Sequence, residues 1–259
     1  MTSNQLHTMK PYRLLLLLVA LLLLQNPISA KPKWQDRYAH DRFEVAGRTC
    51  IVIHPTGEKN HRWIVRPAFL GAFPSVDERM LELGFTVAYC DVTHEYANPQ
   101  AKREFEQFYH EARRRYDLHE KFIIEGFSRG GFFALSYAID HPEQIEKIYV
   151  DAPVCDLESW PSRREEKLYQ DAVSRWERAG GDFNEGHDYP IRHFQKIRDA
   201  KIPVIVCYGA ADEIVPYEEN FGRIADKYHK IRKIRKPDCG HHPHSLENPR
   251  KIVRFLRRR

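Results

Sequence analysis

A serine flanked by glycines is the first feature of the sequence with chemical meaning. Ser128 stands in Gly126-Phe127-Ser128-Arg129-Gly130, the G-x-S-x-G pattern, between the apolar run 122–124 and an apolar segment typical of a helix. A serine raised on a sharp strand-to-helix turn needs neighbours without bulky β-carbons, which the two glycines provide. The pattern therefore predicts a nucleophile elbow with Ser128 at its apex.

A serine hydroxyl becomes an effective nucleophile only when a positioned base takes its proton and an acid holds that base in the right tautomer. The chain offers both groups in loops that follow later apolar runs. Asp212 follows the run 203–209, and His241 follows the run 231–236. The chain thus offers the three groups that a Ser-His-acid triad needs, each in a loop that follows a predicted strand.

Other residues compete for these two roles. His242 is the alternative base, and Asp151 or Asp156, after an earlier strand, is the alternative acid. A metal site is the alternative chemistry for the histidines, because His241, His242 and His244 resemble a ligand set. Their spacing is not that of a helical H-E-x-x-H pair, and a metal would leave the serine motif unexplained. We expect no metal and no cofactor.

The segments that carry these residues read as alternating strands and helices. A strand or hairpin is predicted at 43–55, strands at 62–66, 85–92, 121–124, 147–153, 203–209 and 231–236, and helices at 76–83, 99–118, 132–138, 217–228 and the carboxyl terminus. Such alternation implies an α/β fold with a mostly parallel central sheet and helices on both faces. The three predicted catalytic residues then each follow the carboxyl end of a strand.

One connection is too long to be an ordinary loop. The segment from 162 to 200 is rich in arginine, glutamate and aromatic residues, and its helical pattern breaks at Gly180 and Gly181. We predict one or two helices there, within a small helical cap inserted at about 157–200.

The amino terminus has the pattern of an export signal. Lys10 and Arg13 precede the apolar run 14–24, and a polar stretch ends in Ala30. A bilayer core needs about 20 apolar residues, so this run is short for a stable anchor. We predict a signal peptide at 1–30, cleaved after Ala30, and a single α/β domain at 31–259 that is secreted or periplasmic. An uncleaved anchor is the alternative; after cleavage we expect no stable membrane span.

Composition narrows the function further. The net charge of +5 over 259 residues is small, and no basic stripe interleaved with aromatic residues supports nucleic-acid binding. The basic carboxyl terminus reads as a last helix with cations near its end. The cysteines number five, so at least one thiol is free or pairs with another chain. Cys50, Cys90 and Cys207 lie in apolar runs and are expected to be buried.

Taken together, the serine, acid and histidine motifs resemble the α/β-hydrolase superfamily across essentially the whole chain after the leader. The matching residues are the G-x-S-x-G elbow, the G-x-x-D-x-x-V-P form of 209–216 and the Gly240-His241 pair. The resemblance implies an α/β-hydrolase fold and a serine hydrolase, similar to exported carbohydrate-esterase-like members. It also supports Ser128 as nucleophile, Asp212 as acid and His241 as base.

The developing oxyanion needs two donors, which the fold draws from the residue after the nucleophile and from the loop after the strand at 62–66. We expect the amide of Arg129 and that of Ala68 or Phe69 to serve. The His-Gly pair common in that loop is absent from this chain. The Arg129 side chain has three readings: it reaches an anionic substrate group, it reaches the oxyanion, or it forms a salt bridge with Glu125.

The resulting hypothesis is an exported serine esterase that acts through an acyl-enzyme on an acylated or methyl-esterified carbohydrate. Trp160 and His242 are candidates for substrate contact, and Trp63 is a further candidate for a sugar platform, although core packing is the simpler reading of both tryptophans. The expected partner is a small-molecule or glycan ester, with no nucleic acid. A serine peptidase of the same fold and a non-catalytic binding module are the alternatives.

Overall fold

A computed structural model describes residues 33–162, 165–225, 228–241 and 246–258. The predicted signal peptide, His242 and His244 lie outside these residues. In the described part of the chain, no helix combines the length and the apolar character that crossing a membrane requires. The unit from Trp34 to Arg259 is described below.

An eight-stranded sheet organises the fold, in the order β1-β2-β4-β3-β5-β6-β7-β8. The strands are β1 His40–Val45, β2 Arg48–Ile53, β3 Trp63–Arg66, β4 Thr86–Cys90, β5 Phe122–Phe127, β6 Ile145–Asp151, β7 Val204–Gly209 and β8 Ile231–Lys236. The pairs β1–β2 and β2–β4 are antiparallel, and every other neighbouring pair is parallel. The predicted mostly parallel sheet is therefore confirmed, with an antiparallel hairpin at its first edge.

Helices cover both faces of this sheet. They are α1 Ser75–Glu82, α2 Pro99–Tyr116, α3 Arg129–Asp140, α4 Glu166–Arg178, α5 Phe183–Gly186, α6 Tyr189–His193, α7 Gln195–Asp199, α8 Gly222–Ala225 and α9 Arg250–Arg257. Short 3-10 helices occur at Trp34–Arg37, Pro142–Gln144 and Tyr217–Glu219, and an irregular turn with an extended Trp160 spans Glu158–Ser162. Helices α2 and α3 pack on one face, and α1 and α9 on the other.

The buried surface of α2 explains why this helix docks where it does. Phe105 and Phe108 lie on its apolar stripe and are fully buried, with Phe105 against Tyr137 of α3 at a ring-centroid distance of 4.7 Å. Trp63 of β3 packs in the same cluster, and its Nε1 donates to the His119 carbonyl at 2.9 Å. Trp63 is 1% exposed, so it is a core residue and the sugar-platform reading of it is wrong.

Two predicted segments differ in their details. The helix expected at 217–228 is replaced by the 3-10 turn Tyr217–Glu219 and the single turn α8. Asn220 lies between them with φ of −114° and ψ of −107°, and its side chain accepts hydrogen bonds from the backbone of Cys155 and Asp156. The non-helical backbone of Asn220 interrupts the predicted helix at this point. The segment predicted as one or two helices contains α4 followed by three short helices, α5 to α7.

Candidate active site

Ser128 lies on the turn between β5 and α3. Its backbone has φ of 50° and ψ of −124°, outside the regions that a non-glycine residue favours. Hydrogen bonds hold this conformation: the Ser128 amide donates to the Asp151 carbonyl at 3.0 Å, and the Ser128 carbonyl accepts from Gly131 at 2.8 Å and Val154 at 3.0 Å. Contacts with the end of β6, with the segment that follows it and with the first turn of α3 therefore stabilise the strained backbone of Ser128.

Close backbone approaches explain the glycines around the serine. A Cβ at Gly126 would lie 2.6 Å from the Gly130 carbonyl oxygen, and one at Gly131 would lie 2.4 Å from the Cβ of Pro153. The first glycine requirement follows from the sequence motif. The second is a contact with the segment after β6, so it becomes visible only once the fold is assembled.

The loops after β7 and β8 are joined, and this brings the acid and the histidine together. Gly209 ends β7, and a Cβ there would lie 2.2 Å from the Cys239 carbonyl oxygen. The Ala211 amide donates to the same carbonyl at 3.0 Å. Glycine at this position therefore permits the loop that carries His241 to pass directly over the loop that carries Asp212.

The three predicted catalytic side chains form a continuous chain of contacts. His241 Nε2 lies 3.0 Å from Ser128 Oγ, and His241 Nδ1 lies 2.9 Å from Asp212 Oδ2. The residues are 8%, 7% and 8% exposed for Ser128, His241 and Asp212, respectively, so the contacts are shielded from bulk solvent. With the Nδ1 proton donated to the carboxylate, Nε2 is free to accept the serine proton.

Asp212 is held in its ionised form and in a fixed orientation. Its Oδ1 accepts from the amides of Ile214 at 3.0 Å and Val215 at 2.9 Å, which leaves Oδ2 for the imidazole. Burial acts to raise the pKa of Asp212, but the hydrogen bond with His241 and the two backbone amides outweigh it and hold this pKa below its ordinary value.

The alternative acids are engaged elsewhere. Asp151 is fully buried and pairs with Lys236 at 3.1 Å, while Asp156 pairs with Arg223 at 2.8 Å. His187 Nδ1 lies 3.4 Å from the other oxygen of Asp156. The structure therefore places Asp212, rather than either rival, against His241.

The residues expected to form the oxyanion hole are neighbours. A Cβ at Gly130 would lie 3.0 Å from the Ala68 Cβ and 3.9 Å from Phe69 Cδ2, so the loop after β3 lies against the start of α3. Phe69 has a φ of 57°, and the Arg129 guanidinium lies 5.2 Å from the centre of its ring. Backbone amides of this loop and of Arg129 thus belong to one corner of the site.

Arg66 is a supporting residue that the sequence did not point to. At the end of β3 it is completely buried, pairs with Asp77 of α1 at 2.8 Å, and donates to the Ala72 carbonyl at 2.9 Å. It thereby joins the loop at 67–74 to α1. One feature of the sequence could have indicated this role. Arg66 is the last residue of an apolar strand, and a charge at a buried position needs a buried partner.

A cavity of about 310 Å³ opens onto Ser128 and His241. Its remaining lining residues are mostly apolar or aromatic: Phe69, Phe73, Arg129, Trp160, Glu165, Leu168 and Ile214. Trp160, proposed from the sequence as a substrate contact, lies in this wall. Phe73, Leu168 and Ile214 were missed, because they come from three separate segments that meet at the cavity only in the folded chain.

The structure also tests the salt bridge considered between Arg129 and Glu125. Glu125 is 1% exposed, and within the described residues its two carboxylate oxygens have no hydrogen-bond partner. Arg129 instead faces the cavity beside the serine. The salt-bridge reading is therefore wrong: β5 directs Glu125 into the sheet's interior while Arg129 opens the helix above it.

One group of potential metal ligands occurs in the described residues. Single ligand atoms of Asp156, Glu158 and His187 lie within 4.8 Å of one another. Arg223 and His187 already engage both oxygens of Asp156, so this cluster has its own charge compensation.

The family of the chain is shown by a match that extends over more than half of its length. The model of the prolyl oligopeptidase family matches residues 104–255, more than half of the 259-residue chain. The chain belongs to the prolyl oligopeptidase family. The predicted resemblance to the α/β-hydrolase superfamily is thereby confirmed at the level of the family. No curated protein matches this sequence.

Solved structures show the same α/β-hydrolase fold at low identity. An acylaminoacyl peptidase from Pyrococcus horikoshii is 14% identical with a TM-score of 0.61, over 79% of this chain and 37% of that one. Est1E from Butyrivibrio proteoclasticus is 14% identical with a TM-score of 0.58, over 84% of this chain and 95% of that one. A serine hydrolase involved in carbazole degradation, CarC, is 15% identical with a TM-score of 0.57, over 84% and 96%. This family member thus spans little more than a third of the acylaminoacyl peptidase.

Proposed function

We propose that the protein is a serine carboxylic-ester hydrolase with Ser128 as nucleophile, His241 as general base and Asp212 as orienting acid. The observation that carries the proposal is the unbroken series of contacts from Asp212 through His241 to Ser128 at the wall of a cavity. A serine, an imidazole and a carboxylate in this order are the parts that acyl transfer requires.

The mechanism follows from the geometry. His241 Nε2 accepts the Ser128 proton as Oγ attacks the ester carbonyl, and Asp212 stabilises the imidazolium that forms. His241 then returns the proton to the leaving alcohol, and an acyl-enzyme remains on Ser128. Water repeats the sequence and releases the acid. The amide of Arg129, with that of Ala68 or Phe69, stabilises the negative charge on the carbonyl oxygen during each addition.

For the substrate we propose an acylated or methyl-esterified carbohydrate. Trp160 supports this, because it presents an aromatic side chain in the cavity wall beside the nucleophile. Apolar residues such as Phe73 and Leu168 suit an acyl or alkyl group. His242, which lies outside the described residues, is proposed as a further substrate contact. Export through the segment 1–30, to a secreted or periplasmic location, would place the enzyme with such glycans.

A serine peptidase is the second candidate function. It is favoured by the match to the prolyl oligopeptidase family and by the fold shared with the acylaminoacyl peptidase. Esters and amides use the same triad, so the distinction depends on the leaving group and on subsites rather than on the geometry of Ser128.

A substrate panel tests the two candidates. Aryl acetates, acetylated xylan and methyl-esterified pectin should be hydrolysed by the wild type and spared by Ser128→Ala, whereas matched peptide anilides should be cleaved at least ~100-fold more slowly. Anilide cleavage as efficient as aryl-ester cleavage would favour the peptidase. Binding of the glycans without any Ser128-dependent release of acid would favour a non-catalytic binding module.

A further inference from the structure

Arg129 differs from the other buried or half-buried arginines near the site in what it contacts. Arg66 pairs with Asp77, and Arg175 pairs with both Glu95 and Asp171. Within the described residues no carboxylate forms an ion pair with Arg129, and its Nε atom is buried without a hydrogen-bond partner. A buried nitrogen without an acceptor is unfavourable, and the half-buried side chain lines the cavity, where its donors can meet an anionic ligand.

The side chain is nevertheless held in place. The Phe69 ring lies on one side of the guanidinium, at 5.2 Å from its carbon to the ring centre. Tyr96 lies close by and is 2% exposed, and its hydroxyl interacts with the Arg129 side chain. The Tyr96 carbonyl in turn accepts a hydrogen bond from Trp176 of α4 at 2.8 Å, which fixes this segment against the inserted helices.

The Arg129 charge acts on two neighbouring side chains, Tyr96 and His94, and the charge of Asp171 opposes it at both. Burial raises the pKa of the Tyr96 hydroxyl, and the nearby Arg129 charge opposes that rise. Burial lowers the pKa of His94, and the charges of Arg129 and Arg175 lower it further. The neighbouring acid Glu95 is engaged by Arg48 at 2.8 Å and by Arg175 at 3.0 Å, so it does not neutralise Arg129.

Arg129 also lies in the wall of the cavity that holds Ser128 and His241. It begins α3, a twelve-residue helix whose amino-terminal end carries partial positive charge. A negative charge on a bound ligand would therefore meet both the guanidinium and the helix terminus. The acid in the same cavity, Glu165, is exposed at its rim, where water screens it.

We propose that Arg129 is a specificity residue that binds a carboxylate on the substrate, so that the enzyme selects esters carrying a negative charge near the scissile carbonyl. This inference rests on the proposed ester hydrolase function. The substrate class is then an ester with an apolar portion against Phe69 and Trp160 and an anionic group on the guanidinium. A planar guanidinium matches a carboxylate through paired hydrogen bonds.

Two pairs of esters test the proposal, one with the charge on the acyl group and one with it on the leaving group. The first pair is mono-para-nitrophenyl adipate and para-nitrophenyl hexanoate, and the second is meta-acetoxybenzoate and meta-acetoxybenzamide. The measured quantity is the ratio of kcat/KM for the anionic ester to that for its neutral partner. Because both esters are measured on one preparation, the ratio does not depend on the folded fraction.

The wild type should prefer the anionic ester in at least one pair. Arg129→Gln should lower that preference by ~10- to 100-fold, the range expected for one charge-assisted hydrogen-bonded contact, and Arg129→Lys should keep part of it. Arg178→Gln is the matched control, since Arg178 is an exposed arginine on α4 whose Nε donates to the Ser174 carbonyl. It changes net charge equally and should leave the ratio unaltered.

Several results would overturn the proposal. The first is the absence of an anionic preference in both pairs. The second is an equal loss of kcat/KM for both members of a pair in Arg129→Gln, which would mean that the side chain acts on the oxyanion. The third is a change in the kcat/KM ratio in Arg178→Gln as large as that in Arg129→Gln. In all three cases Ser128-dependent hydrolysis of the neutral esters would leave the esterase proposal standing. Failure to hydrolyse any of the four esters would overturn both proposals.

Discussion

Asp212 and His241 are 29 positions apart, yet Oδ2 of the acid lies 2.9 Å from Nδ1 of the imidazole. Two backbone amides donate to Oδ1 of Asp212, so Oδ2 is left to accept the hydrogen bond from the imidazole. The relationship fixes which imidazole nitrogen faces Ser128, and therefore whether His241 can act as a base.

The first prediction concerns that carboxylate. Asp212→Asn keeps the shape of the side chain but offers an amide donor to Nδ1, which favours the wrong imidazole tautomer. We expect kcat on an aryl acetate to fall by about 10⁴-fold, as such a change does in other triads. Asp238→Asn, an exposed acid in the loop that carries the histidine, is the control. Near-normal kcat in Asp212→Asn would mean that another acid supports the base.

A second prediction follows from the packing of the elbow. A Cβ at Gly126 would lie 2.6 Å from the Gly130 carbonyl, a backbone atom that cannot rotate away. Gly126→Ala should lower the free energy of unfolding by about 1–3 kcal/mol and reduce kcat, because the turn that presents Ser128 must shift. Chemical denaturation and aryl-ester kinetics measure both effects. Gly71→Ala has nothing within 4 Å of its added Cβ and should unfold like the wild type.

The third prediction concerns pH and the buried Glu125. Burial, with the nearby Asp77 and Asp151 charges, raises the pKa of Glu125 well above its ordinary value, although Arg66 opposes the rise. The folded state therefore binds more protons than the unfolded state above the ordinary glutamate pKa. This contribution to stability is complete below that pKa and is lost as the pH rises through the folded-state pKa.

Glu125→Gln cannot ionise, so this component of the pH dependence should disappear. Denaturation curves between about pH 5 and about pH 9 should show the wild type losing stability more steeply than the variant as pH rises. Asp77, whose pKa burial raises to about 6, contributes in the same direction, so the variant should keep a shallower decline of its own. Parallel curves for the two proteins would contradict a protonated Glu125.

A fourth prediction uses the fully buried pair of Arg66 and Asp77. Asp77→Ala leaves an uncompensated guanidinium in the interior and should lower the free energy of unfolding by about 3–5 kcal/mol. Replacing both residues, by Arg66→Met and Asp77→Leu, should recover most of that loss. Activity should nevertheless stay reduced in the double variant, because Arg66 also holds the Ala72 carbonyl. A double variant with full activity would show that this loop needs no such support.

Much of the site could be predicted because its signals are local. The nucleophile elbow can be recognised from five consecutive residues. Asp212 and His241 each follow an apolar strand, so a parallel sheet brings both to the same edge. The paired arginine and acid beneath the loop, Arg66 and Asp77, could not be inferred. Their pairing depends on where α1 docks, which no sequence pattern specifies.

The inserted helices were harder to predict for a related reason. Only α4 is long enough to show a helical period, whereas α5 to α7 have four or five residues each, so their boundaries are decided by tertiary packing. The segment after β7 illustrates the same point. Asn220 was read as part of a helix, but its side chain bonds to the backbone of Cys155 and Asp156, more than sixty positions earlier. Such long-range capping overrides local helix propensity.

The central claim is that Ser128 is a nucleophile activated by His241, and a fluorophosphonate probe tests it most directly. After labelling, peptide mass spectrometry should find the phosphonyl group on Ser128, no such adduct in Ser128→Ala, and labelling slowed by at least ~100-fold in His241→Ala. Modification of another residue, or equal labelling in Ser128→Ala, would contradict the account.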